Sequence, residues 1–353
     1  MWSCDRRAAL GACVVVQRVR SISWGQSARV CVDGPRPEVI QRVAGRWCGS
    51  VDTTGIDADE QPFRLVVPEL DRAIADAQTG RIRLGVRVGT GHGVLELRVG
   101  PHSVVIGGDD ESDIVRFSDR RVPTRLEYEL VIDMGVNHLL ARQGLPVLHS
   151  CSFELGGASI LGLGESFSGK TTVSVAAMRA GGRVASDDVV LVVGDEGGSY
   201  SLLPVRSYGW LRGKTREIVP DELLEKMREN REDGQPRWVL QREDAGESFV
   251  DRLVPDVVWV QSVDRRLKES RIEPISQGQV FAALIRASSP LYLSRHCPEI
   301  RDKLIPVFRS LCEQCRGYRV RLAPRLLEEP EREMKRLVDL SRLGSSDRMM
   351  NDE

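Results

Sequence analysis

The sequence predicts a mixed α/β domain built around a phosphate-binding loop, preceded by a smaller β-rich α+β domain. Three observations carry this. Gly164-Glu165-Ser166-Phe167-Ser168-Gly169-Lys170-Thr171 fits G-x-x-x-x-G-K-[ST], between an apolar strand (Ile160–Leu163) and a helical stretch (Thr172–Ala180) closed by Gly181-Gly182. Two apolar runs, Ser150–Leu155 and Ala158–Leu163, flank Gly156-Gly157, which is the pattern of a hairpin with a two-residue turn. Ahead of Gly144, short β-like runs alternate with turns.

The 353 residues suffice for two domains, and 41% apolar content for real cores. A net charge of −1 leaves no global field favouring nucleic acid or an anionic membrane. Six Lys stand against 44 Arg, dispersed among as many acids, which reads as composition and not as an RNA-binding surface. Eight Cys are too sparse and irregular for a disulfide framework. Cys312-x-x-Cys315 could be redox-active or half a zinc site, but His296 and Cys297, the nearest partners, lack ligand spacing. Two buried small side chains on a helix over Asp302–Arg316 fit better. Arg6–Val16 has the outline of a weak signal peptide. Gln17-Arg18-Val19-Arg20 follows at once with no small-residue cleavage site, so a strand, or an N-terminus ragged from start-site choice, is expected; the cysteine usage fits a reducing cytoplasm.

Residues 1–143 form the first predicted domain. Its strands are expected at Leu65–Val67, Arg81–Val88, Val94–Val99 and Val104–Ile106, with Gly89–Gly93 a hairpin turn because no helix follows it. Leu130–Gln143 has helical spacing and leads into the second domain; His138 within it reads as a satisfied histidine. The second domain spans 144–328. If Leu155 pairs with Ala158 across the hairpin, paired positions sum to 313 and His149 lies opposite Gly164, at the rim of the loop. After the helix, Asp187-Asp188 interrupts a buried strand (Arg183–Val193), where carboxylates are costly unless they meet a cation. Residues 215–247 are highly charged and read as an insertion or flap, not a core element, with a short helix at Glu222–Arg228. Leu253–Val263 is a buried strand, Val280–Ser288 a helix and Tyr318–Leu322 a last strand. Residues 329–353 read as a charged tail, helical or disordered.

The loop defines the chemistry. Its turn points successive backbone N–H groups into one concavity, and the following helix adds its positive end. With this chain's composition the pattern arises by chance in roughly one sequence of this length in 200. Gly164 through Thr172 would wrap the phosphates of ATP, with Lys170 reaching the β- and γ-phosphates. Thr171 and Asp187 would hold the Mg²⁺ that accompanies the nucleotide.

Leu148-His149-Ser150, the Gly164–Thr171 loop and Ser186-Asp187-Asp188, in this order and spacing, resemble the kinase domain of the HPr kinase/phosphorylase family over residues 144–193. The closer resemblance is to HPr-kinase-related proteins with an extra N-terminal domain. It implies a fold like that of phosphoenolpyruvate carboxykinase, a mixed sheet with the phosphate loop at its edge. It also implies transfer of a phosphoryl group to a Ser-type hydroxyl on a small molecule or peptide. Asp188 is then the general base or acid, and His149 supports the reacting phosphate together with Lys170. Arg206, in a faint echo of a later family motif, is a phosphate contact. Oligomers are a family trait. The departures are Phe167 in place of a glycine, Pro204 in place of a metal-binding Glu, and no recognisable HPr-recognition region, which argues against HPr as acceptor. An ATPase or nucleotide-gated switch, and a non-catalytic ATP-binding partner of a biosynthetic complex, are the alternatives.

Overall fold

The computed structural model describes residues 140–195, 197–206, 208–211, 213–230, 237–288 and 298–343, together with residue 137 and, as backbone, short strands between residues 20 and 118. The alternating runs near the N-terminus become β1 (Arg20–Trp24), β2 (Ala28–Asp33), β3 (Ser50–Asp52), β4 (Phe63–Val66), β5 (Val86–Gly91), β6 (Val94–Val99), β7 (His102–Ile106) and β8 (Asp113–Ser118). They pair in the order β3-β1-β2-β4-β8-β7-β6-β5. β5 and β6 pair as a hairpin, but Gly89, Thr90 and Gly91, expected in its turn, belong to β5 and oppose Glu96, Leu95 and Val94. Arg6–Val16, His138 and the His296-Cys297 pair lie outside the described residues. So does most of Leu130–Gln143, whose described turn at 140–142 is helical.

From residue 147 the chain builds a mixed sheet. Its strands are β9 (Val147–Leu155), β10 (Ala158–Leu163), β11 (Arg183–Ser186), β12 (Val189–Gly194) and β13 (Tyr200–Pro204), followed later by β17 (Val257–Val263), β18 (Arg271–Pro274) and β19 (Arg316–Leu322). The order is β13-β12-β9-β10-β17-β19-β18, with β11 also on β9. β10, β17 and β19 are mutually parallel, while β9, β12, β13 and β18 join antiparallel. The strand that feeds the loop, β10, is therefore interior to the sheet. The expectation of an edge position is corrected: β10 is almost wholly buried, as a strand covered on both faces must be.

Side chains alternate between two apolar clusters, one on each face. Leu161, Leu163 and Val258 pack with Leu284, Leu304 and Phe308 from helices α2 (Gln277–Ala287) and α3 (Pro298–Gln314). Ile160, Phe153 and Trp259 pack with Val173 and Ala176 from helix α1 (Lys170–Arg179) and with Met334 and Leu337 from helix α4 (Pro330–Leu343). Helix α2 starts at a reciprocal capping box between Ser276 and Gln279.

Two segments that the sequence places outside the core belong to it, for one reason. Residues 215–247 read in the sequence as an insertion or flap with few apolar anchors. In fact β14 (Tyr208–Leu211), β15 (Arg228–Asn230) and β16 (Arg237–Gln241) form a small sheet, and Leu211, Ile218, Val219, Leu223, Met227, Leu240 and Ala245 join the core beside α1. Glu222–Arg228 yields only one helical turn, Asp221–Leu224. Residues 330–343 are helical, as the charged tail was expected to be in part, but the helix belongs to the core: Met334, Leu337 and Val338 are buried, and the Trp259 Nε1–H donates to Ser341 Oγ at 3.0 Å. In both segments the charges lie between well-spaced apolar residues. Average charge hides an apolar stripe that needs only one residue in three or four.

Candidate functional site

The hairpin fixes the first part of the site. Gly156 and Gly157 have φ of 58° and 77°, the left-handed pair that a two-residue turn of this kind requires. The resulting register pairs Leu155 with Ala158 and Ser150 with Leu163, so that paired positions sum to 313 as anticipated. His149 stands one residue beyond Ser150, level with the start of the loop.

The loop itself demands its two terminal glycines. A Cβ at Gly164 would lie 2.7 Å from the Gln261 carbonyl oxygen and 2.4 Å from Ser168 Oγ; one at Gly169, where φ is 90°, would lie 2.9 Å from Leu322 Cδ1. Phe167 has φ of 67°, the one non-glycine with a positive φ among the described residues, and it is 90% exposed. That conformation costs an ordinary side chain about 1–2 kcal/mol. It explains why glycine is the usual occupant and shows that the loop takes its shape here without one.

Lys170 opens α1 and is nearly buried. Its Nζ donates to the carbonyl oxygens of Gly164 (2.8 Å) and Glu165 (3.0 Å), folding back over the loop. Burial pulls its pKa below the usual lysine value, opposed by the nearby Cys151 and Asp188. Beneath the loop, the Cys151 thiol points at the Gly162 carbonyl and at Gln261 Oε1, both 3.7 Å away. Burial pushes it up to about 12, so it stays a neutral thiol.

The acids arrive by a broken strand. β11 runs antiparallel along β9 from Arg183 opposite Glu154 to Ser186 opposite Ser152, and β12 resumes on the same strand with Val189 opposite His149. Between them Asp187-Asp188 bulges out of the ladder. Ser186 ties the bulge: its hydroxyl donates to the Val189 carbonyl (2.8 Å) and accepts from the N–H groups of Val189 (3.2 Å) and Asp188 (3.3 Å). The Ser150 N–H donates to the Asp188 carbonyl at 2.9 Å. Ser186 belongs to the acidic motif read in the sequence, but its tying role comes only from the structure.

Asp188 meets His149 and Arg206. His149 Nδ1 is 3.1 Å from Asp188 Oδ1, and Arg206 Nε is 4.0 Å from Oδ2, with the Arg206 side chain buried. Burial pushes the Asp188 carboxyl up, but the hydrogen bond from His149 and the charges of His149, Arg206 and Lys170 outweigh it and hold it below the ordinary carboxylate range. Asp187 faces elsewhere: its carboxylate lies beside Gly209 and walls an apolar cavity lined by Ser174, Val175, Met178, Leu211 and Phe249. The structure thus brings together His149, Lys170, Asp188 and Arg206 at the loop. It leaves Asp187 on the α1 side of the bulge. Thr172 Oγ1 shares a 3.0 Å hydrogen bond with Thr215 Oγ1, so the small-sheet segment touches the loop helix directly.

The residues fit a nucleoside triphosphate. The loop has no room for a Cβ at either end, and Lys170 rests on carbonyl oxygens that it can exchange for phosphate oxygens. No group of three or more His, Cys, Asp or Glu poised for a metal occurs among the described residues. A nucleotide-borne Mg²⁺ does not require one, since it takes one or two protein oxygens and keeps phosphates and waters. The C-x-x-C is no site either: burial pushes Cys312 up to about 11 and Cys315 higher, and Cys315 Sγ donates to the Pro255 carbonyl.

Fold and site define a mixed α/β domain organised around a strand–loop–helix turn of phosphate-binding sequence. No protein-family model matches the chain, and no curated protein matches it. Among solved structures, it is similar to the HPr(Ser) kinase/phosphatase from Coxiella burnetii, at 11% identity and a TM-score of 0.29, over 57% of this chain and 98% of that one. Among the described residues no helix is long and apolar enough to cross a membrane.

Proposed function

We propose that this chain is an ATP-dependent phosphotransferase of the HPr-kinase-related type. It uses Mg²⁺ and transfers the γ-phosphoryl group to a hydroxyl on a small molecule or peptide. The observation that carries this reading is the convergence of Lys170, His149, Asp188 and Arg206 on one loop, by the hairpin register on one side and the broken strand on the other. A loop meant only to hold nucleotide has no need of a carboxylate held ionised beside its lysine.

Catalysis is mainly positioning and charge neutralisation. The loop N–H groups and Lys170 hold the β- and γ-phosphates, with Arg206 as a further cation. Thr171, at the start of α1, would hold Mg²⁺, which would supply charge neutralisation at the phosphates; Asp187, expected from the sequence as its second ligand, is turned toward Gly209 and would have to swing toward the loop to reach it. Asp188, ionised, receives the proton of the acceptor hydroxyl. Phe167 at the tip of the loop is 90% exposed and open to an acceptor. The chain would act in the cytoplasm, on an acceptor other than HPr.

ADP release is the test, measured with ATP and Mg²⁺, with and without fractionated cell-extract metabolites and peptides. Stimulation by a fraction, lost in Lys170→Ala, supports the kinase. Turnover independent of any fraction would make the protein an ATPase or nucleotide-gated switch, and ATP binding with no turnover a binding partner.

A further inference from the structure

We propose that His149 is itself phosphorylated: its Nε2 takes the γ-phosphoryl group of the bound nucleoside triphosphate before a hydroxyl acceptor does. The inference rests on the nucleotide-binding reading above and goes beyond it by adding a covalent intermediate and a modification site.

The geometry that carries it is the pairing of His149 with Asp188 at the rim of the loop. Nδ1 is engaged at 3.1 Å by Asp188 Oδ1. A carboxylate accepts and cannot donate, so in the neutral imidazole the ring proton sits on Nδ1 and the lone pair on Nε2. The His149 side chain is 40% exposed, and no hydrogen bond or ion pair to Nε2 occurs among the described residues. The ring therefore presents an oriented, unoccupied nucleophile, while its backbone is pinned in a ladder between Ser150–Leu163 and Val189.

The neighbours are poorer nucleophiles. Lys170 and Arg206 are cations, and Lys170 is folded onto two loop carbonyls. Asp188 has one oxygen on His149 and the other facing Arg206. The Cys151 thiol is fully buried, and the hydroxyl of Ser168 is buried against Gly164. Thr172 is paired with Thr215.

The step balances without any further reagent. The Nε2 lone pair forms the N–P bond as the bond from the γ-phosphorus to the β,γ-bridging oxygen breaks. That electron pair leaves on the nucleoside diphosphate. The proton stays on Nδ1, and the positive charge gained by the ring is met by the Asp188 carboxylate, the same arrangement that stabilises an imidazolium in hydrolytic triads. In the second step the N–P bond breaks, its pair returns to the ring, and the phosphorus bonds to the acceptor oxygen as the hydroxyl proton passes to the Asp188 carboxylate and from there to solvent.

The test uses the full chain with radiolabelled ATP and Mg²⁺, quenched in alkali, followed by intact-mass and peptide mass spectrometry under non-acidic conditions. Acid-labile, alkali-stable label at up to one phosphoryl group per chain is expected, mapped to His149 in the wild-type protein. It should be discharged by added ADP with re-formation of ATP. His149→Gln should lose the label. Asp188→Asn should lower its rate of formation by at least about tenfold without moving it. Mapping in the wild type makes the result independent of whether a variant folds. Acid-stable label, for example on Ser166, overturns the proposal. So does ATP turnover with no protein-bound label in a rapid-quench time course, which leaves the phosphotransferase reading standing. Failure to bind ATP at all overturns both.

Discussion

Replacing Glu333 by Ala should destabilise this protein markedly, although Glu333 lies in a stretch whose sequence reads as a charged tail, helical or disordered. Its side chain is 2% exposed. Oε1 accepts from the Ser270 N–H at 2.7 Å and from Arg336 Nη2 at 2.9 Å, and Oε2 accepts from Arg336 Nε at 3.0 Å. Arg336 Nη2 also donates to the Ser270 carbonyl at 2.6 Å, so the pair clamps α4 to the loop that precedes β18. Removing Glu333 leaves the Ser270 N–H without its acceptor and Arg336, one-third exposed, without its partner, which costs about 2–3 kcal/mol. A domain of this kind has about 5–15 kcal/mol in total. Glu333→Gln keeps an acceptor oxygen and loses only the charge assistance, so about 1–2 kcal/mol is expected. Urea unfolding at pH 7 measures both through the midpoint at constant slope. The pH dependence is a second reading of the same interaction. Burial pushes the Glu333 carboxyl up, but the Arg336 and Ser270 hydrogen bonds more than offset it and leave it below the usual value. Its contribution is therefore present above the unfolded glutamate pKa and is lost as pH falls through the folded one. Wild type and the Ala variant should converge in stability toward the acid end. A cost below about 1 kcal/mol for Ala, or a gap that widens on acidification, would refute the clamp.

Lys170→Ala should lower ATP affinity or abolish turnover, whereas Asp188→Asn should bind ATP in equilibrium dialysis within about threefold of wild type and transfer no phosphoryl group to an acceptor. Gly164→Ala should cost about 1–3 kcal/mol and lose ATP binding, because the added carbon meets a backbone oxygen that cannot swing aside; thermal denaturation and dialysis check the two halves separately. Cys312 and Cys315 should resist iodoacetamide at pH 7.5 and bind no zinc in a colorimetric displacement assay, since burial keeps both thiols protonated. Amides of β16 should exchange slowly even without nucleotide, because Val239 and Leu240 are buried; exchange as fast as at an unprotected terminus would return residues 215–247 to the status of a loose flap.

The site was more legible in the sequence than the framework that holds it. Gly156-Gly157 fixed a register, and the register placed His149 beside Gly164 without any coordinates, because the backbone of a two-residue turn leaves no choice. Asp187-Asp188 stood out as charge inside an apolar run. The interior position of β10 could not be read, since strand order depends on the pairing of Val257–Val263 with residues nearly a hundred positions earlier. The small sheet at Tyr208–Gln241 and the burial of helix α4 were obscured by their own charges. Their apolar residues recur too sparsely to dominate a local average, yet Leu223, Leu240 and Leu337 are nearly or fully buried. The opposed orientations of Asp187 and Asp188 also escaped, because they follow from the Ser186 tie and not from the acids themselves.

The broken strand has a consequence for how this site can vary. His149, the loop and Asp188 are spaced by β-ladder pairing on β9, not by the lengths of flexible connections. Any one residue added to or removed from the stretch between Arg183 and Val189 would slide β12 by one step and turn every side chain beyond it to the opposite face. Composition within those strands can drift far while apolar volume is kept. Length cannot. The site should be rigid toward insertion and lenient toward substitution, so a library that samples residue identity at fixed length will retain function far more often than one that samples length.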